Sequence, residues 1–236
     1  MKPLVAEINY RRRLGVEHEM AIALVGSGGG RDVRETVGRI LTANGVHATS
    51  REYSHAPVPE GYDVAIESDS SVQGHSLYQG VSYHSVELKT RILEGLPDWE
   101  NIVPTCLSLC KYLRGNLNRT TGHHVHINFP EAQDPRRIRS LFNLIHRFQP
   151  LMYAIVSPSR LGNGYARPIP LESSRLLHGC KTRESFRRNL SNWDRQCGLN
   201  LTHVFEPAPR IEFRYHQGTL DVEKARHWLR LLNRLV

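Results

Sequence analysis

Arg210-Ile-Glu-Phe-Arg-Tyr215 alternates charged and apolar side chains, and two other stretches repeat the pattern: Gly15-Val-Glu-His-Glu-Met20 and Gly122-His-His-Val-His-Ile127. In a β-strand alternate residues share a face, so Glu212 and Arg214 point one way while Ile211 and Phe213 point the other. By the same rule Glu17 pairs with Glu19, and His124 with His126, while Val16, Met20, Val125 and Ile127 turn to a core. The three strands together predict an antiparallel sheet with one apolar face and one face of carboxylate, imidazole and guanidinium. An ordinary solvated face also alternates, but it favours Thr, Lys, Ser and Gln. Three strands bearing Glu, Glu, His, His, Glu and Arg read instead as the lining of an active site, because such groups are rarely clustered without a charge partner or a metal.

The rest of the chain sets limits on that reading. At 236 residues it is long enough for one large α+β domain, which we expect over residues 1–236. Residues Met1 to Arg13 contain no apolar signal-like run, and no stretch approaches a membrane span, so a cytoplasmic protein without membrane partners is expected. The formal charge of +8 suits an anionic ligand as well as nucleic acid. Its basic residues are scattered and carry no nucleic-acid signature, so nucleic acid is not the expected partner. Cys106 and Cys110 stand one helical turn apart in an apolar stretch, and with Cys180 and Cys197 they read as packed thiols.

Along the chain, a strand is predicted from Leu14 to Val25, then the glycine turn Gly26-Ser-Gly-Gly-Gly30. A helix with Val33, Val37, Ile40 and Leu41 on one face follows and ends at Asn44-Gly45. The glycine run lacks both the Walker A ending and the dinucleotide fingerprint, so it is read as a turn. Strands are predicted at Val46–Ser50, Tyr62–Glu67 and Ser85–Lys89, the last offering Glu87 as another carboxylate on the polar face. Asp69, in Ser68-Asp-Ser-Ser71, has turn chemistry of its own. Helices are predicted at Asp98–Arg119, Pro135–Val156 and Val222–Leu235, with Pro104 in a first turn and Pro150 at a kink or break. Ser157–His178 reads as a long loop whose Arg160, Arg167 and Arg175 are candidates to meet an anionic ligand.

In these motifs the chain resembles the amidoligase family, a branch of the carboxylate-amine ligases related to glutamine synthetase and glutamate-cysteine ligase. The resemblance runs from Gly15 to about Trp228. It is carried in order by Glu17-x-Glu19, Asp69-x-Ser71, Glu87, the His-Val-His strand, Asn200-Leu201, and Glu212-Phe-Arg-Tyr-His-Gln-Gly-Thr-Leu-Asp221. It implies a curved antiparallel sheet with helices on its convex face, a glutamine synthetase-like catalytic domain that binds ATP through Mg²⁺ or Mn²⁺. It implies that Glu17, Glu212 and one of His124 and His126 hold the ion bridging the nucleotide phosphates. Glu19 and Glu87 would hold the ion nearer the acceptor, and Arg214 would neutralise the transferring phosphoryl group. Arg160, His216 and Asp69 are the further expected nucleotide contacts. The implied activity is amide formation between a small-molecule or peptide carboxylate and an amine through an acyl phosphate. A Zn²⁺ hydrolase and a non-catalytic nucleotide- or nucleic-acid-binding relative are the alternatives; the residue that deprotonates the amine and the oligomeric state stay open.

Overall fold

The computed structural model describes residues 9–24, 26, 28–73 and 82–236. Seven strands among them form one sheet: β1 Leu14–Ile22, β2 Ala48–Ser50, β3 Val64–Glu67, β4 His84–Thr90, β5 Gly122–Asn128, β6 Leu199–Asn200 and β7 Arg210–Gln217. The order is β2-β3-β4-β1-β5-β7-β6, which puts the three motif strands β1, β5 and β7 side by side. Every pairing is antiparallel except β2 with β3, which is parallel. The parallel pair is joined through residues 51–63, which carry the chain back to the start of β3, and it corrects the all-antiparallel expectation. The sheet is also open and uncurled, with β2 and β6 as its two edges, where the resemblance implied a curved one.

Six α-helices accompany the sheet among the described residues: α1 Gly30–Ala43, α2 Leu96–Tyr112, α3 Pro135–Ile155, α4 Leu171–His178, α5 Arg183–Leu190 and α6 Val222–Leu235. The apolar strand positions Val16, Met20, Ile66, Leu88, Val125, Ile127, Ile211 and Phe213 are buried in one core with Val33 and Val37 of α1, Trp99 and Val103 of α2, Phe142 and Ile145 of α3, and Leu229 and Leu232 of α6. Burial of these side chains is the main driving force for the assembly. It also leaves the opposite face of β1, β4, β5 and β7 uncovered by these helices.

Several boundaries differ from the sequence-based expectation. The first strand ends at Ile22; Val25, and Ser27 of the glycine turn, lie outside the described residues. Helix α2 stops at Tyr112 rather than Arg119. Arg114 takes a left-handed conformation (φ 56°) and Gly115 N–H bonds back to Cys110 C=O, which closes the helix end. Pro104 lies inside α2 rather than in its first turn, and Pro150 sits inside α3 without breaking it. The expected loop Ser157–His178 contains a 3₁₀ turn, Pro158–Arg160, and the whole of α4.

Candidate functional site

The register builds three rows of side chains across the polar face. Glu67, Glu87 and Glu19 stand opposite one another on β3, β4 and β1; Lys89, Glu17 and His124 on β4, β1 and β5; and His126, Glu212 and Asn200 on β5, β7 and β6. The alternation seen in the sequence therefore becomes one continuous cluster. His124 is at its centre, with Nδ1 at 3.3 Å from Glu17, 3.5 Å from Glu19 and 3.7 Å from Glu212. His126 Nε2 lies 3.3 Å from Glu17 Oε1 and 4.0 Å from Glu212 Oε1.

Two triads emerge whose ligand atoms lie within 4.8 Å of one another: Glu17, His126 and Glu212, and Glu19, Asp69 and Glu87. Of the two imidazoles, His126 completes the first triad and His124 touches carboxylates of both. Asp69 enters the second while its Oδ1 also caps its own turn, accepting from Ser71 N–H at 2.6 Å. The second triad is thus reached partly from a turn, beyond the strand alternation.

Supporting groups fix these carboxylates. Gly122 N–H donates to Glu19 Oε2 at 2.6 Å, and Asn200 Nδ2 donates to Glu212 Oε2 at 2.7 Å. Arg214 Nη1 donates to Glu212 Oε1, and its Nε reaches the carbonyl of Tyr165 at 3.1 Å. Neither Gly122 nor the role of Asn200 is legible without the register, because each acts through a partner on a neighbouring strand. Lys89 and Glu67 were within reach of the alternation rule, since Lys89 shares Glu87's face. Glu67 is fully buried beside Arg51, at 2.5 Å, and Lys89, at 4.0 Å. It also accepts from Ser54 N–H, while Lys89 Nζ donates to the carbonyls of Ser54 and Ala56. Together they tie the segment after β2 to the rim of the cluster.

Charge is distributed unevenly. Burial alone raises the Glu17 carboxyl, but His126 and His124 hold it well below the usual carboxylate range. Burial likewise opposes ionisation of Glu212, yet His126, Arg214 and His124 keep its pKa low. Burial would lower the His126 imidazole, and Glu17 and Glu212 instead raise it. Glu19 and Glu87 go the other way. Burial pushes both up; for Glu87 the charges of Glu17, Glu19 and Asp69 add to it, and for Glu19 Asp69 adds while His124 opposes. Around Glu87 only like charge is added to burial, and such crowding of carboxylates is what a cation site presents.

Other predicted positions fall elsewhere. His216 lies on the helix-covered side of the sheet, edge-on to His123 and tilted against Trp228 of α6, because the β5–β7 ladder shifts register between His123 and Val125. Arg160 is 1 % exposed and donates to the Arg214 carbonyl, with no carboxylate of the described residues at ion-pair distance. Arg167 pairs with Asp194 at 2.6 Å, and Arg175 is exposed on α4. The four cysteines are free and buried. Among the described residues no helix is long and apolar enough to cross a membrane.

The fold and this donor set define an α+β chain that presents a carboxylate and imidazole cluster on one face of a sheet. The family model described as "Putative amidoligase enzyme" matches residues 10–236, and the chain belongs to that family. Membership supports an enzyme of the ligase class that forms amide bonds. No curated protein matches the chain at a significant level.

Proposed function

We propose that the chain is an ATP-dependent carboxylate-amine ligase, a glutamine synthetase-like catalytic domain over residues 1–236, that uses Mg²⁺ or Mn²⁺ and joins a small-molecule or peptide carboxylate to an amine. The observation that carries the reading is the pair of triads, Glu17–His126–Glu212 and Glu19–Asp69–Glu87, side by side with Arg214 bonded to Glu212. Five carboxylates and one imidazole suit hard, oxygen-seeking divalent cations better than Zn²⁺. His126 fits a ligand role, since its Nε2 faces Glu17 at 3.3 Å and Glu212 at 4.0 Å while its buried Nδ1 makes no hydrogen bond among the described residues. Bound there, the ions would screen the nucleotide phosphates and the charge that develops during phosphoryl transfer.

The chain's own groups supply positioning and charge. Burial would weaken the Arg214 guanidinium, but Glu212, Glu19 and Glu17 hold it protonated, so a permanent cation faces the incoming phosphates. Asn200 and the Gly122 amide each occupy one oxygen of a carboxylate, Glu212 and Glu19, which fixes how the carboxylate turns its other oxygen. In the proposed reaction the substrate carboxylate attacks the γ-phosphorus and the bond to the leaving ADP breaks. The amine then attacks the acyl carbon, inorganic phosphate leaves, and the nitrogen gives its extra proton to solvent. The test is calorimetric binding of a non-hydrolysable ATP analogue with Mg²⁺, Mn²⁺ or EDTA. We expect binding that depends on the metal and that Glu212→Gln weakens; binding that ignores both would sink the proposal.

A further inference from the structure

Arg160 ends the 3₁₀ turn that follows α3, and its guanidinium is buried against the backbone at Thr121 and Arg214. Its Nη2 donates to the carbonyl of Arg214 at 2.6 Å and its Nη1 to the carbonyl of Thr121 at 3.4 Å, while Nε has no partner among the described residues. No carboxylate of the described residues stands at ion-pair distance from it. Glu19 supplies only a longer-range field, and burial lowers the group to about 10. A desolvated guanidinium held mainly by backbone carbonyls is a costly arrangement, and stability alone does not account for it.

Its location supplies the reason. His123 faces His216 and Val125 faces Phe213, so Arg214 and Tyr215 together oppose His124: β7 bulges at Arg214. A bulge re-aims the side chain it carries, and it removes ladder partners from the backbone. The Arg214 N–H faces the β6 edge, where it donates to the carbonyl of Gly198 at 2.7 Å; Gly198 N–H donates to the carbonyl of Arg167 at 2.8 Å instead of back to Arg214, which leaves the Arg214 C=O to Arg160. The turn bearing Arg160 is itself fixed, since Ser157 N–H donates to Gln217 Oε1 at 2.9 Å.

We infer that Arg160 is a positioning residue: by holding the bulge carbonyl of Arg214 it sets the guanidinium of Arg214 over Glu212, where the proposed reaction needs a cation. This rests on the ligase reading for its purpose, though its geometry does not. A planar fork spans two carbonyls; a lysine reaches one. Loss of Arg160 leaves the Arg214 carbonyl buried and unpaired, so the bulge relaxes and Arg214 moves while the triads stay.

The experiment measures the affinity of a non-hydrolysable ATP analogue with Mn²⁺, and of Mn²⁺ alone, on wild type, Arg160→Met, Arg160→Lys, Arg214→Met and the Met/Met double variant. Arg160→Met is expected to weaken nucleotide binding roughly tenfold, as for a lost bond to a charged group, with Arg160→Lys recovering part of it. Mn²⁺ affinity should hold, and the double variant should bind no more weakly than Arg214→Met alone, because the first residue acts through the second. Additive losses, or Mn²⁺ affinity falling in step with nucleotide affinity, would overturn the inference. If Arg160→Met does not fold, Arg160→Lys carries the same comparison. Wild type that binds no nucleotide defeats the ligase reading only, and the inference is then decided by the Nε–H of Arg214 in ¹⁵N-labelled protein. Its bond to Tyr165 should give a slowly exchanging signal in wild type that the Arg160 variant loses; retained protection overturns the inference.

Discussion

Glu87 is a buried carboxylate whose ionisation the fold opposes. Burial comes first, and Glu17, Glu19 and Asp69 add like charge around it. Because its folded pKa is raised, Glu87 contributes stability that is fully present below the ordinary 4.5 and is lost as pH rises through the folded value. Glu87→Gln should therefore raise the melting temperature of metal-free protein at pH values above that titration, and reduce the stabilisation that Mn²⁺ gives wild type by the share of the Glu19–Asp69–Glu87 site. Thermal melts with EDTA and with Mn²⁺ test both; a destabilised metal-free variant would show that the charge is compensated in a way this account lacks. Gly122 makes a second residue-scale prediction. A Cβ there would run into His124 Nε2 and come within 3.2 Å of Glu19 Oε2, so the strand must have glycine where these two side chains meet. Gly122→Ala should displace His124 or Glu19 and weaken Mn²⁺ binding by about tenfold or more, in line with the loss of a supporting contact at a metal site, which titration calorimetry would measure.

At the scale of elements, Gly95 closes the N-terminus of α2 with φ 87°, and a Cβ at that position would collide with the Tyr10 carbonyl, which accepts from Leu96 N–H at 2.9 Å. Gly95→Ala therefore combines left-handed strain with a backbone clash and should cost more than about 2 kcal/mol in denaturant unfolding. Glu67→Gln, which leaves Arg51 and Lys89 without their carboxylate, should cost about 3 kcal/mol or more by the same measurement. The sequence was informative where periodicity was strong. Leu14, Glu17 and Glu19, or Ile211, Glu212 and Arg214, announce a strand and its faces, and α6 matches its predicted span because Asp221 caps it, accepting from Glu223 and Lys224 N–H. Helix α4 has only faint apolar spacing, because most of its surface is exposed and Leu177 is its buried anchor. Helix α5 likewise lies outside the predicted elements, although its Thr182–Ser185 capping box and the buried Phe186 and Leu190 mark it. The placement of His216 on the helix-covered side is a tertiary effect: the bulge in β7 puts it there, and that bulge has no local signature in the sequence.

For the whole molecule, the helix-covered side of the sheet holds depressed histidines, while the polar side holds groups shifted both ways. On the helix-covered side His18 stacks on His123 with centroids 4.3 Å apart, and burial pushes His18 down to about 3, His216 to about 4 and His123 well below its ordinary value. Groups depressed in the fold contribute stability that is present above the unfolded value of 6.5 and lost as pH falls through their folded pKa values. Glu17 and Glu212, lowered from 4.5, act in the same direction at still lower pH. On the polar side the raised groups Glu19, Glu87 and His126 contribute stability that is present at low pH and lost as pH rises through their folded values. Between 4.5 and 6.5 the buried histidines and the raised carboxylates oppose each other, so metal-free protein should be most stable in that interval and less so on either side. The limbs have different owners. Divalent cations bind the folded cluster and not the unfolded chain, which at a concentration of 100 Kd adds about 2.7 kcal/mol per site. They bind the polar-face cluster alone, so saturating Mn²⁺ should lift the alkaline limb and leave the part of the acid limb owned by His18, His123 and His216 where it was. His216→Phe should shift the acid limb without touching the response to Mn²⁺. Melting temperatures across this range, with EDTA and with Mn²⁺, separate the two. A metal response that follows the histidine limb would place the ions on the wrong side of the sheet, and the cluster of Glu17, Glu19, Glu87 and Glu212 would need another purpose.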